Sequence, residues 1–202
     1  VFALQVGIDE AINCGLSIED ADALMGRPMG IPKTGVFGLY DLIGIDLMAD
    51  VVKSLASILP SDDAFHAVGK ENSAITLMIK NGLTGNKGNG GFYKTNPDGV
   101  LHTLQLTGHA GENLPPYAVA KQELPELAVR AAVASAKQKE PLVQILEGNT
   151  DHAKFCRRVL GRVLSYAASL IPAVTESPQD IDDAMKLGFN WQRGPFEMMD
   201  AI

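Results

Sequence analysis

Four histidines and two cysteines are the side chains in this sequence best suited to move a proton or attack a carbonyl. They are His66, His102, His109 and His152, and Cys14 and Cys156. Metal binding needs such residues a few positions apart, and none of these shares a metal-ligand spacing with another or with an acid. There is no Gly-x-Ser-x-Gly elbow and no Cys–His signature of a nucleophile. Two acid clusters, Asp20 with Asp22 and Asp180 with Asp182, sit on predicted helices. Residues two apart leave a helix in different directions, so neither cluster reads as an acid–base pair. The expected role of these acids is helix capping and a solvated face. The stretch from Gly82 to Gly91, GLTGNKGNGG, suggests a phosphate loop but lacks the Lys-Ser/Thr of a P-loop, and GNGG is not the dinucleotide fingerprint. It reads better as a turn that needs positive φ and seats Phe92 and Tyr93 in a hydrophobic site. Lys154, Arg157, Arg158 and Arg162 form a basic group on one predicted helix.

The elements that would position these residues are organised by a repeat. Ser17, Asp20, Asp22 and Met25 recur 160 positions on as Ser177, Asp180, Asp182 and Met185. Gly35, Phe37, Asp41 and Ile43 recur 159 positions on as Gly194, Phe196, Asp200 and Ile202. One residue separates the two shifts, as expected of a duplicated module with a single slip in a loop, and two copies at so long a period do not make a solenoid. In each copy a serine with an acid three residues later predicts a capping box. Pro178 suits a first helical position, and Gly26 and Gly188 are expected to end the first helices. Pro195 starts the second helix of the later copy; Val36 takes that place in the earlier one.

The remaining chain fills in around the copies. Val1, Leu4, Ile8 and Ile12 recur at helical spacing and Gly15 ends that helix. Asp46 is expected to cap a helix to about Ile58, and Asn72 to Lys80 to form another. Pro97-Asp98-Gly99 is a turn before a short alternating run, with any strand expected within 92–106. Residues 125–139, 142–146 and 150–171 read as helices. The fold class is therefore all-α, mainly helical: two related modules at 1–94 and 123–202, with a mostly irregular linker at 95–122.

Composition narrows the function. The 202 residues are 46% hydrophobic and 20% charged, as in an ordinary globule, and the net charge of −7 without a basic stripe argues against nucleic acid as a partner. No apolar run is long enough for a membrane span. Two distant cysteines read as free thiols and no signal peptide is visible, which points to a reducing, cytoplasmic setting.

The segment IDDAMKLGFNWQRGPFEMMDAI, at Ile181 to Ile202, resembles the C-terminal domain of 3-hydroxyacyl-CoA dehydrogenases, with its D-x-A-M and G-P-F-E motifs. The first copy, GRPMGIPKTGVFGLYDLIGID, is a variant with Val36 for Pro and Gly38 for Glu. NGLTGNKGNGGFYK is similar to the glycine-rich Phe-Tyr segment that closes this domain. The resemblance covers about Val1 to Lys94 and Phe155 to Ile202, and tandem copies are what fused, multifunctional β-oxidation proteins carry. It implies an oxidoreductase that converts a 3-hydroxyacyl-CoA substrate to the 3-oxoacyl-CoA with NAD. It also implies that the Rossmann domain, the catalytic His–Glu pair and the substrate-positioning Asn lie upstream of this sequence, so that residues 1–202 hold no catalytic, cofactor-binding or metal-binding residue and are inactive alone. Both ends look cut within a motif. By analogy Pro32, Gly35, Val36, Phe37 and Leu39 form an apolar wall beside the acyl-thioester. The first copy would line the cleft, and the second would stand in for the other subunit of a dimer. Lys87 and the arginine group are candidate contacts for CoA phosphates. A fused enoyl-CoA hydratase is a possible partner. The alternative is a non-enzymatic helical interaction module derived from the family.

Overall fold

The computed structural model describes residues 1–106 and 113–202; His109 lies outside the described residues. Among them are eleven α-helices, one 3-10 turn and a single three-stranded sheet, so the chain is mainly helical.

The first copy opens with α1 (Phe2–Asn13), which ends at Gly15 with φ +67. Its buried face carries Val6, Ile8 and Ala11 but also Gln5 and Glu10, while Ile12 is 40% exposed. Then come α2 (Ile18–Leu24), the 3-10 turn Arg27–Met29, α3 (Phe37–Ile43) and α4 (Ile45–Ile58). The Ser17 hydroxyl accepts from Asp20 N–H, as the capping pattern requires. Gly44, not Asp46, is the N-cap of α4; Asp46 lies in its first turn. Helices α5 (Phe65–Val68) and α6 (Ser73–Lys80) follow, the latter capped by the Asn72 side chain.

The described residues of the 95–122 stretch are more ordered than their sequence suggests. Strand β1 (Tyr93–Thr95) pairs antiparallel with β2 (Leu101–Leu104), and β2 pairs antiparallel with β3 (Tyr117–Val119). β3 lies beyond the 92–106 window, because its three residues have no alternating core face to read: none is buried. What holds the sheet is long-range polar contact with α2. The carboxylate of Glu19 accepts from the Thr103 hydroxyl and from Lys121 N–H, both at 2.8 Å, and Lys121 Nζ reaches Asp20 at 3.0 Å.

The 123–202 module opens with α7 (Glu126–Ala136) and α8 (Pro141–Leu146). It continues with α9 (Asp151–Ser169), capped by Thr150, then α10 (Pro178–Phe189) and α11 (Pro195–Asp200), the last two carrying the repeated motif. Two expectations fail here. The Ser177 side chain makes no capping bond; its own N–H is instead bound by the Thr175 hydroxyl, which also donates to Asp180. Gly188 does not end α10. The helix runs past it and stops at Asn190, which adopts a left-handed φ of 56, a conformation asparagine tolerates.

Helix α9 packs along α1, and a single cluster of buried side chains draws on both copies, from Val6 and Phe37 to Phe155, Trp191 and Met198. At this contact Arg158 donates to Glu10, and Arg162 donates to Glu10 and to Asp9, each at 2.6 Å. Glu10 is buried and its arginine partners are half-exposed, so the basic face of α9 closes on α1. Lys154, Arg157 and Arg158 remain exposed, while Arg158 and Arg162 are engaged by acids of α1.

Candidate functional site

Asp22 organises the candidate wall. Its side chain leaves α2 and turns inward, 8% exposed. One carboxylate oxygen accepts from Val36 N–H at 2.6 Å and Phe37 N–H at 2.8 Å; the other accepts from Gly38 N–H and the Tyr93 hydroxyl, both at 2.9 Å. These backbone donors are the unsatisfied first N–H groups of α3, which has no capping side chain of its own. A carboxylate there also faces the positive end of the helix dipole. Glycine at position 35 makes the approach possible: its φ is +66, and a Cβ would overlap the Asp22 carboxylate. Burial pushes the Asp22 carboxyl up to about 6, against the downward pull of its donors. Burial and the neighbouring Asp22 charge push the Tyr93 phenol up.

Asp41, on the next turn of α3, does the same for the glycine-rich segment. It is 3% exposed and accepts from Phe92 N–H at 2.8 Å and Tyr93 N–H at 2.7 Å. Its carboxyl is also pushed up to about 6 by burial. The glycines are what let the loop reach it. Gly85 has φ +93 and Gly90 φ +110, the two form an antiparallel bridge, and a Cβ on Gly85 or Gly91 would strike Asp41. Phe92 is thereby driven edge-on against Phe37, with ring centroids 4.9 Å apart. The loop is a structural clasp, as its glycine spacing suggests. Lys87 within it pairs with Asp46 at 2.7 Å on the surface.

The second copy repeats the first half of this design. Asp182, 3% exposed, accepts from Phe196 N–H at 2.8 Å and Glu197 N–H at 3.0 Å, and a Cβ on Gly194 would collide with it, as at Gly35. Pro195 has no N–H, so the bond made by Val36 is absent here. Asp22 and Asp182 thus cap the following helix rather than their own, and they are buried rather than solvated.

The expected wall residues divide by burial. Val36 and Phe37 are 0% and 1% exposed and fill the core, and Gly35 is buried beneath Asp22. Pro32 and Leu39 keep part of their surface open. Next to Leu39, Tyr40 points inward and its hydroxyl accepts a hydrogen bond from buried Gln5 of α1. That pair forms the floor of a cavity of about 360 Å³ between α4 and α6, walled by Ala49, Val52, Ala56 and Ile75 and rimmed by Lys53 and Lys70. Sequence reasoning missed this cavity. Its one signal was a glutamine on the inward face of an apolar helix.

No group of three or more metal-ligating side chains occurs among the described residues. His66 contacts the Pro60 carbonyl, His102 contacts Asn96 and the Val100 carbonyl, and His152 lies 3.6 Å from Asp20. Cys14 and Cys156 are free, and burial pushes the Cys156 thiol up to about 12, away from nucleophilic use. Arg157 is spent on the Leu146 and Gly148 carbonyls. No helix among the described residues is long and apolar enough to cross a membrane.

The paired aspartate caps and the glycine clasp lie within the residues that the family comparison matches. The model of the 3-hydroxyacyl-CoA dehydrogenase C-terminal domain matches residues 5–95 and 155–202. The chain belongs to this family. A Rickettsia prowazekii protein that bears the provisional name fatty acid oxidation complex trifunctional enzyme is 32% identical over 201 residues, covering 98% of this chain and 25% of that protein. A Bacillus subtilis protein provisionally named 3-hydroxyacyl-CoA dehydrogenase is 27% identical over 201 residues, covering 100% of this chain and 24% of its own length. The chain thus spans about a quarter of the curated relatives it matches. No solved structure matches it. Within the family domain, the two matched segments are the two copies, and the sheet with α7 and α8 lies largely between them.

Proposed function

We propose that this chain is the helical half of an NAD-dependent 3-hydroxyacyl-CoA dehydrogenase of fatty acid β-oxidation, working with a cofactor domain carried outside residues 1–202. The observation that carries the reading is the family match over both copies, joined to relatives about four times as long that are named for this chemistry. The chain's own composition of groups agrees. Its buried carboxylates are saturated by donors within the fold and hold backbone in place; they are not poised to take a substrate proton. Hydride transfer needs a nicotinamide site, and the sequence has no dinucleotide fingerprint. The bound NAD would supply the hydride acceptor, and the residues that hold it would lie in the other domain.

Within that reading, the partly open Pro32 and Leu39 form the wall facing the acyl-thioester, held in register by Gly35, Val36 and Phe37 through Asp22. The expected setting is cytoplasmic. The test is an assay of the polypeptide that carries this sequence in the cell, following NADH loss with acetoacetyl-CoA. Turnover by that polypeptide, with none by residues 1–202 alone, supports the reading. A well-folded carrier polypeptide with neither NAD binding nor turnover overturns it in favour of a helical interaction module.

A further inference from the structure

The cavity of about 360 Å³ between α4 and α6 has a polar floor that the fold leaves partly unpaired. Gln5 is 7% exposed and Tyr40 is fully buried. Gln5 Nε2 donates to the Tyr40 hydroxyl, and neither side chain makes another hydrogen bond among the described residues. The Tyr40 O–H proton therefore has no protein acceptor there, and the Gln5 side-chain oxygen has no protein donor. Buried polar groups without partners are costly, so a fold keeps them where something else can reach them. Burial pushes the Tyr40 phenol up, which keeps its proton in place to donate. The walls above this floor are apolar. Ala49, Val52 and Ala56 recur at helical spacing along α4, and Ile75 closes the side from α6.

We propose that this cavity is a binding site for a small uncharged carboxamide, held at its oxygen by the Tyr40 hydroxyl and at its N–H by the Gln5 side-chain oxygen. The site is separate from the proposed acyl-thioester wall, since none of Pro32, Gly35, Val36, Phe37 and Leu39 lines it. The floor offers one donor and one acceptor side by side, and an amide presents the complementary acceptor and donor on one planar group. A carboxylate presents acceptors only, so it would set a negative charge against the Gln5 oxygen. An ion on the floor would also lose its hydration, because the cations Lys53 and Lys70 stand at the rim. There they are matched by Asp50 and Glu71, so the mouth carries both signs and selects no charged ligand. The apolar walls take the body of the ligand. A cavity of about 150 Å³ holds benzene. This one is more than twice that size, enough for a ring and a short arm.

The test uses the polypeptide that carries this chain and the probe 3-phenylpropionamide, followed by ligand-observed NMR and calorimetry. Binding is read without NAD or turnover, so the result stands apart from any dehydrogenase activity. Saturable binding is expected, with 3-phenylpropionate about tenfold weaker or more. Tyr40→Phe removes the donor with little change of shape and should weaken binding about tenfold, the loss expected of one hydrogen bond. Ala56→Leu places a larger side chain on the α4 wall, away from the floor pair. It should abolish binding while its thermal melt stays at or above the parent's, because filling a cavity does not weaken a fold. A melt of each variant separates lost binding from lost structure. No saturable binding by the parent at millimolar probe overturns the site. Undiminished binding by Ala56→Leu puts the probe elsewhere and overturns it as well. Equal affinity for the carboxylate, or undiminished binding by well-folded Tyr40→Phe, overturns the amide chemistry.

Discussion

Asp22 and Asp41 tie the stability of the fold to pH. Both have native carboxyls raised to about 6 by burial, above the 3.8 of a free aspartate. A raised native pKa means that the folded state holds the proton more tightly than the unfolded one. The stability these groups contribute is fully present below about 3.8 and is lost as pH rises through about 6. Carboxyl-carbon titration by NMR should place both midpoints near 6, and Asp22→Asn should flatten that part of the stability–pH curve. Midpoints near 4 for both would contradict this. The same hub predicts the effect of two phenylalanines. Phe37→Ala should cost about 3–5 kcal/mol by chemical denaturation, whereas Phe196→Ala, at a half-buried site, should cost well under half as much. The position of these aspartates on paired helices was legible from the repeat. That they cap the next helix was not, because a bond spanning 14 to 16 residues leaves no local periodicity. The available signal was Gly35 and Gly194 in register with Gly-dependent close approach.

At the level of elements, the helix positions are legible where apolar spacing and a capping side chain agree, as at α6 and α9. The misreadings at β3 and at Arg158 and Arg162 share a cause in long-range contact. β3 pairs with β2, and the Lys121 N–H that follows it bonds Glu19, 102 residues away, which nothing near Tyr117 in the sequence encodes. The arginines of α9 look like a solvated stripe because their partners lie in α1, 148 to 153 residues away. That contact makes a directional prediction. Removing both arginines, Arg158→Ala with Arg162→Ala, takes the donors from the buried Glu10 carboxylate and should lower stability. Glu10→Gln leaves two half-exposed guanidiniums that water can serve, and it should cost clearly less. Denaturation midpoints of the two variants in the same buffer make the comparison; equal losses would mean that Glu10 is hydrated in solution.

For the whole molecule, the proposed function gives the two copies separate jobs. The first copy is completed by its aromatic clasp, and in that proposal its loop from Pro32 to Leu39 faces the cleft. The second copy binds to it through α9 on α1 and through Gln192 N–H on the Gly30 carbonyl at 2.8 Å, which braces the 3-10 turn just before that loop. Bracing and lining should separate in kinetics, because a residue that touches substrate alters transition-state binding without altering the fold, while a buried brace does the reverse. In the polypeptide that carries this chain, Leu39→Asn should lower kcat/KM about tenfold with a melting temperature within a few degrees of the parent, since only a partly exposed apolar contact is lost. Met198→Ala, at a site 1% exposed in the second copy, should cost about 2–5 kcal/mol yet leave the folded fraction with near-parental kcat/KM. Paired measurement of kinetics and melts on both variants decides the assignment. Should Met198→Ala change kcat/KM in well-folded protein while Leu39→Asn does not, the second copy, not the first, would face the substrate.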